Sequence, residues 1–159
     1  MEPAVKTELG IGFTLRFTRS LAAPRELVFR LWSDAEHLAK WWGPQGFTNP
    51  VCQFDPRPGG RIYIDMTGPD GTSYPMEGEV REIVAPERLV LLCICCVDDE
   101  GTAGVESVTT VTFHEEKGGT RIEVEARVTK IEDFARDALA GMEQGWNESL
   151  DRLAALAQA

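Results

Sequence analysis

From residue 13 to residue 18 the chain alternates. Phe13, Leu15 and Phe17 fall on one side, and Thr14, Arg16 and Thr18 on the other. A period of two predicts a half-buried strand. The period then lengthens: Leu27, Val28, Leu31 and Trp32 recur at helical spacing behind Pro24. Proline suits a first helical turn because no N–H partner is needed there. Ala23, just before it, is a poor cap. Asp34 is a good N-cap for a second short helix that ends at Gly43-Pro44.

Between Thr48 and Lys130 the period of two returns. A short strand is predicted over Val51 to Phe54. Ile62, Ile64 and Met66 alternate with Arg61, Tyr63 and Asp65; Met76, Gly78 and Val80 alternate with Glu77, Glu79 and Arg81. Leu89 to Val97 is an unbroken apolar run and predicts a strand buried on both faces. Thr109, Val111 and Phe113 start a further strand, and Ile122, Val124, Ala126 and Val128 another. Turn chemistry separates them at Arg57-Pro58-Gly59-Gly60, Pro69-Asp70-Gly71, Pro86-Glu87 and Lys117-Gly118-Gly119. Short turns between successive strands imply an antiparallel meander of about seven strands, with one face buried and one wet.

The last segment predicts one long helix over Phe134 to Ala157. Ala135, Ala138, Leu139, Met142, Trp146, Leu150, Leu153 and Leu156 draw an apolar stripe along it in steps of three and four. At ~1.5 Å per residue such a helix runs about 36 Å. The stripe has to lie across the buried face of the sheet. A sheet of this many strands twists and curls, so it can grip the helix, and an incompletely filled grip leaves a cavity. The fold class is α+β: a curved antiparallel sheet wrapped around a C-terminal helix, with two short helices after the first strand.

A chain of 159 residues suits one domain, 1–159, with its core in 13–157 and residues 1–12 as an extension. The formal net charge of -10 repels a phosphate backbone and an anionic bilayer, which argues against nucleic-acid and membrane partners. The Leu89–Val97 run falls far short of the ~20 residues of a membrane helix. Met1 to Gly12 has no basic start followed by an apolar run, so the expected location is cytoplasmic. Three of the four cysteines, Cys93, Cys95 and Cys96, crowd one apolar strand. Strand neighbours point to opposite faces, so Cys95 and Cys96 are expected not to share a metal, and the thiols are read as inert, buried side chains. No zinc spacing, phosphate loop, G-x-S-x-G or H-E-x-x-H occurs. The expected cofactor set is none.

One group of residues resembles a known family. Leu27-Val28-Phe29, Trp32, Asp34, Glu36, Leu38, Trp41-Trp42-Gly43-Pro44 and Gly46-Phe47-Thr48 are similar to the opening of bacterial proteins related to the activator of the Hsp90 ATPase. Asp55, Arg57-Pro58-Gly59-Gly60, Met66, Pro69-Asp70-Gly71, Gly78, Glu82-Ile83 and Pro86-Glu87-Arg88-Leu89-Val90 continue the likeness. Thr110-Val111-Thr112-Phe113, Gly119-Thr120-Arg121, Gly145-Trp146 and Leu150 complete it. The resemblance implies the helix-grip fold of the START/Bet v 1-like (SRPBCC) superfamily, whose members enclose a hydrophobic cavity between sheet and helix and bind lipids, sterols, hormones or polyketides.

The candidate cavity residues are Trp42, Met66, Met76, Val80, Met142 and Trp146, chosen for shared inward parity on strands and helix, with Glu82 as a polar contact if its strand runs regularly that far. Aromatic rings supply large rigid contact area, and methionine adapts to varied shapes. Trp41 is read as packing only. The leading function is binding of a small apolar or amphipathic metabolite. The alternatives are a cyclase- or hydrolase-type enzyme using Glu82 or Asp65, and a co-chaperone-like interaction domain. A homodimer is also admitted as a partner.

Overall fold

The structure is a computed structural model and describes residues 10–158; most of the N-terminal extension lies outside them. Seven strands form one antiparallel sheet: β1 (Thr14–Leu21), β2 (Thr48–Phe54), β3 (Arg61–Thr67), β4 (Ser73–Val84), β5 (Arg88–Cys95), β6 (Val105–Glu116) and β7 (Gly119–Ile131). The order across the sheet is β1-β7-β6-β5-β4-β3-β2. Every turn expected between β3 and β7 joins neighbours, and only β1 crosses over to pair with β7. The segment after β1 supplies α1 (Arg25–Ser33) and α2 (Ala35–Leu38). Pro24 precedes α1 without any side-chain cap, as Ala23 and Pro24 predict, whereas the Asp34 side chain accepts the Glu36 N–H and starts α2.

One face of the sheet carries the core. Ile62, Ile64, Val80, Leu89, Leu91, Val111, Phe113, Ile122, Val124 and Val128 are almost completely buried there. Helix α1 packs on it through Phe29, whose ring meets Phe113 edge-on at 5.0 Å. The other face is wet and laced with exposed cross-strand ion pairs such as Arg16–Glu125 and Arg61–Glu77, worth little individually. This corrects the reading of Leu89 to Val97 as buried on both faces. The strand stops at Cys95, and Val90, Leu92 and Ile94 are only half-buried on the convex side.

The C-terminal segment differs from one long helix. A short 3₁₀ turn (Asp133–Ala135) leads into α3 (Arg136–Ala140), which ends at Gly141, and α4 (Met142–Ala157) follows. Gly141 has φ -96° and ψ 0°, off the helical well. Glycine is the weakest helix former after proline, and here it marks the break. Phe134 and Ala138, placed at the start of the stripe, are exposed, while Ala135, Leu139, Leu150, Leu153 and Ala157 are buried. A Cβ at Gly141 would meet nothing within 4 Å, and its φ is negative. Gly141→Ala is therefore expected to raise stability by about 0.4–1 kcal/mol through the unfolded chain, read as a small upward shift in a thermal melt.

Candidate functional site

Trp42 and Trp146 come together. Trp146 leaves α4 with its ring 5.7 Å from Trp42, 6.2 Å from Phe17 on β1 and 6.3 Å from Trp32 on α1, the last pair stacked. Both Trp42 and Trp146 keep accessible surface while packed against the core. Met142 lies one turn before Trp146 and is half-buried too. Trp41 is fully buried, and its Nε1–H donates to the Leu31 carbonyl at 2.8 Å, so it is packing. Trp32 is fully buried as well, with no acceptor for its indole N–H among the described residues.

Met66 and Met76 face the same interior as Ile62 and Ile64, because cross-strand partners share a face. Met66 lies under the Trp42 loop: a Cβ added at Gly43 would meet its Sδ at 2.8 Å, and Gly43 has φ +96°. Only glycine fits both demands at that position. Val80 is completely buried against Leu91, its β5 partner, which makes it core rather than wall.

Glu82 does not face inward. The pairing of β4 with β5 shifts between Val80 and Glu82. Arg81 is the extra residue of a bulge, so parity reverses beyond it. Ile83 now opposes Leu89 on the core side, and Glu82 opposes Val90 on the wet side. Its carboxylate accepts from Arg88 Nε at 2.9 Å with the side chain 47% exposed. Asp65 is also on the wet face, opposite Val51 and Pro75, and accepts from the Ser73 hydroxyl. The two carboxylates weighed for catalysis thus both lie outside the grip.

The middle of the concave face is floored by small side chains. Gly78, Cys93 and Ser107 are successive partners across β4, β5 and β6, and Ser107 opposes Val128 on β7. Burial pushes the Cys93 thiol up to about 11, with the Thr109 hydroxyl bonded to it, yet Cys93 still keeps some accessible surface. Ser107 is 6% exposed, and no hydrogen bond is found for its hydroxyl among the described residues. Alternation shows that these positions face inward but not that Gly78 and Cys93 keep part of their surface while Ser107 is buried.

The row from Gly78 to Val128 runs on to Phe13, whose carbonyl accepts the Val128 N–H at 2.8 Å. There a cleft of about 390 Å³ opens between β1 and the joint of α3 with α4. Phe13, Leu15 and Leu139 are its apolar walls; Arg16 and Glu143 stand at its rim. It exists where the helix breaks at Gly141, a break that the stripe did not reveal. A second depression of about 390 Å³, wider open, lies around Pro24, Arg25 and Glu115 at the far end of α1. None of the seven residues proposed from sequence lines either of these clefts.

The loop that carries Trp42 is tied to α4. The Gly43 N–H donates to Ser149 Oγ at 3.0 Å, and the Gln45 N–H to Glu148 Oε1 at 2.9 Å. Arg152 donates to the carbonyls of Lys40, Trp42, Gly43 and Pro44 at 2.9–3.2 Å. His37 pairs with Asp34, and His114 sits on the wet face with Thr112 and Glu123, so neither enters the grip.

With this geometry, comparison with known proteins is decisive for the family. The family model described as "Activator of Hsp90 ATPase homolog 1-like protein" matches residues 22–158. The chain belongs to this family. A solved structure from Chromobacterium violaceum shares 30% identity at a TM-score of 0.79, over 92% of this chain and 97% of that one. One from Mycobacterium smegmatis shares 30% identity at a TM-score of 0.73, over 90% and 89%. The AHSA1 protein from Silicibacter pomeroyi shares 29% identity at a TM-score of 0.75, over 89% and 95%. A search of curated proteins finds no match. No helix among the described residues is long and apolar enough to cross a membrane.

Proposed function

We propose that this activator-of-Hsp90-ATPase-like domain binds a small apolar or amphipathic metabolite between the concave sheet face and the C-terminal helices. The observation that carries this reading is the cleft between β1 and the α3–α4 joint. Its volume of about 390 Å³ falls within the ~300–1,000 Å³ typical of ligand pockets. Phe13, Leu15 and Leu139 give it apolar surface, and Thr14, Arg16 and Glu143 give it polar surface, as an amphipathic ligand requires. Arg16 and Glu143 at the rim are the polar contacts, in place of Glu82. Trp42, Met142 and Trp146 pack beside the core outside this cleft.

The test is a thermal-shift screen of sterols, fatty acids, flavonoids and polyketides. A ligand at a hundredfold excess over its dissociation constant adds about 2.7 kcal/mol of stability. Ala140 lines the cleft and is exposed, so Ala140→Trp fills the cleft at little cost to folding. It is expected to abolish the ligand-induced shift while the unliganded melt stays near that of the parent. Glu82→Gln is expected to leave the shift intact. Failure of every compound class to shift the parent, or an undiminished shift in Ala140→Trp, sinks the reading.

A further inference from the structure

Cys95 ends β5 with its side chain toward the core, and strand alternation would send Cys96 to the opposite face. The structure corrects that expectation. Cys96 has φ +61°, a left-handed conformation rare outside glycine, asparagine and aspartate. This turns its side chain back, and the two Sγ atoms stand 3.3 Å apart within hydrogen-bonding reach. The turn is held from the other side. The Gly104 N–H is shared by the Cys95 and Cys96 carbonyls at 3.2 and 3.1 Å, and a Cβ at Gly104 would meet the Cys96 carbonyl oxygen at 2.5 Å. Cys96 is exposed and Cys95 half-buried. Backbone strain at a non-glycine residue persists only where the surroundings hold it, and here what it achieves is to bring two thiols together.

We propose that Cys95 and Cys96 form a vicinal dithiol that a peroxide-class oxidant converts reversibly to a disulfide. The chemistry divides between them. Cys96 is the nucleophile: the hydrogen bond from Cys95 holds its thiol down at about 7, while that same bond and burial raise Cys95. An accessible low-pKa thiolate beside a protonated partner is the arrangement of a redox-sensing pair. The Asp98 carboxylate, two residues on, is occupied by the Glu100 and Thr102 N–H groups. The Cys96 thiolate attacks one peroxide oxygen. The O–O bond breaks, an S–O bond forms, and hydroxide leaves. The Cys95 sulfur then attacks the Cys96 sulfur; the S–O bond breaks, and the hydroxyl departs as water with the Cys95 proton. Two thiols lose two electrons and one peroxide becomes two waters. A bridge between neighbours spans only the ~3.8 Å of one peptide unit, below the usual Cα separation of ~4.4–6.8 Å. Strained bridges are the easily reduced, regulatory kind.

The experiment treats the full chain near pH 7 with a small excess of hydrogen peroxide and reads intact mass and peptide maps. The parent is expected to lose two hydrogens, yield one peptide cross-linked between Cys95 and Cys96, and recover fully with dithiothreitol. Cys96→Ser should react at least tenfold more slowly. Cys95→Ser should stop at a sulfenic acid that dimedone traps, and Cys93→Ser should behave like the parent. Gain of oxygen without loss of hydrogen in the parent overturns the proposal. So does a disulfide to Cys93 or to a second chain, or undiminished reactivity in Cys96→Ser.

Discussion

Trp146→Ala is expected to lower stability by about 4 kcal/mol, within the ~3–5 kcal/mol range for emptying a large aromatic site in a core. The ring touches the sheet, α1 and the Trp42 loop at once, through Phe17, Trp32 and Trp42. Its removal leaves a gap that three elements would have to close together, and packed elements relax only partly. Part of the ring is accessible, which holds the cost below the top of the range. The melting temperature should fall by roughly 8–16 °C, at ~2–4 °C per kcal/mol for a chain of this size. Trp146→Phe retains the contact with Phe17 and should recover more than half of the loss. An unchanged melt in Trp146→Ala would mean that α4 is not held on the sheet by this residue.

The strand pattern was legible where a strand has one wet and one dry face, so that period two shows in β1, β3, the first half of β4 and β7, while the apolar run of β5 hid its wet face. Turn chemistry then left a meander as the only economical path. Three features were not legible, each for a physical reason. The Arg81 bulge inserts one residue without altering composition, and every side chain beyond it changes face; Glu82 moved out for that reason alone. The break at Gly141 does not interrupt the three-and-four spacing, since Leu139 and Met142 stay in phase across it, so the stripe ran on through a break that opens a cleft. The approach of Cys96 to Cys95 depends on a single φ value, and alternation argued against it. Inward parity does not tell a packed position such as Val80 from one that keeps accessible surface such as Trp42, and it does not locate the cleft, which opens at Phe13, Leu15 and Leu139.

Arg152 carries the second large effect, and no motif announced it. It falls beside the stripe, between Leu150 and Leu153, where a long cation is usually read as a solvated flank. In the fold its guanidinium faces the end of α2 and the loop beyond, where carbonyls are left without intrahelical partners. Four of them converge on it, from Lys40, Trp42, Gly43 and Pro44. A planar fork of fixed donors suits such a cluster, and a lysine ammonium reaches fewer acceptors at once. Hydrogen bonds from a charged donor contribute ~1.5–3 kcal/mol net, and acceptors stranded without one cost a further ~1–3 kcal/mol. Water reaches part of this loop and offsets some of that. Arg152→Ala is therefore expected to cost about 3 kcal/mol, with Arg152→Lys recovering less than half. The two variants also separate a global effect from a local one. If the guanidinium is what seats the Trp42 loop on α4, amide exchange at Gly43 and Gln45, whose N–H groups bond Ser149 and Glu148, should quicken beyond what the loss of global stability explains. Exchange there that merely tracks the global melt would assign Arg152 to general packing and leave the loop held by Ser149 and Glu148 alone.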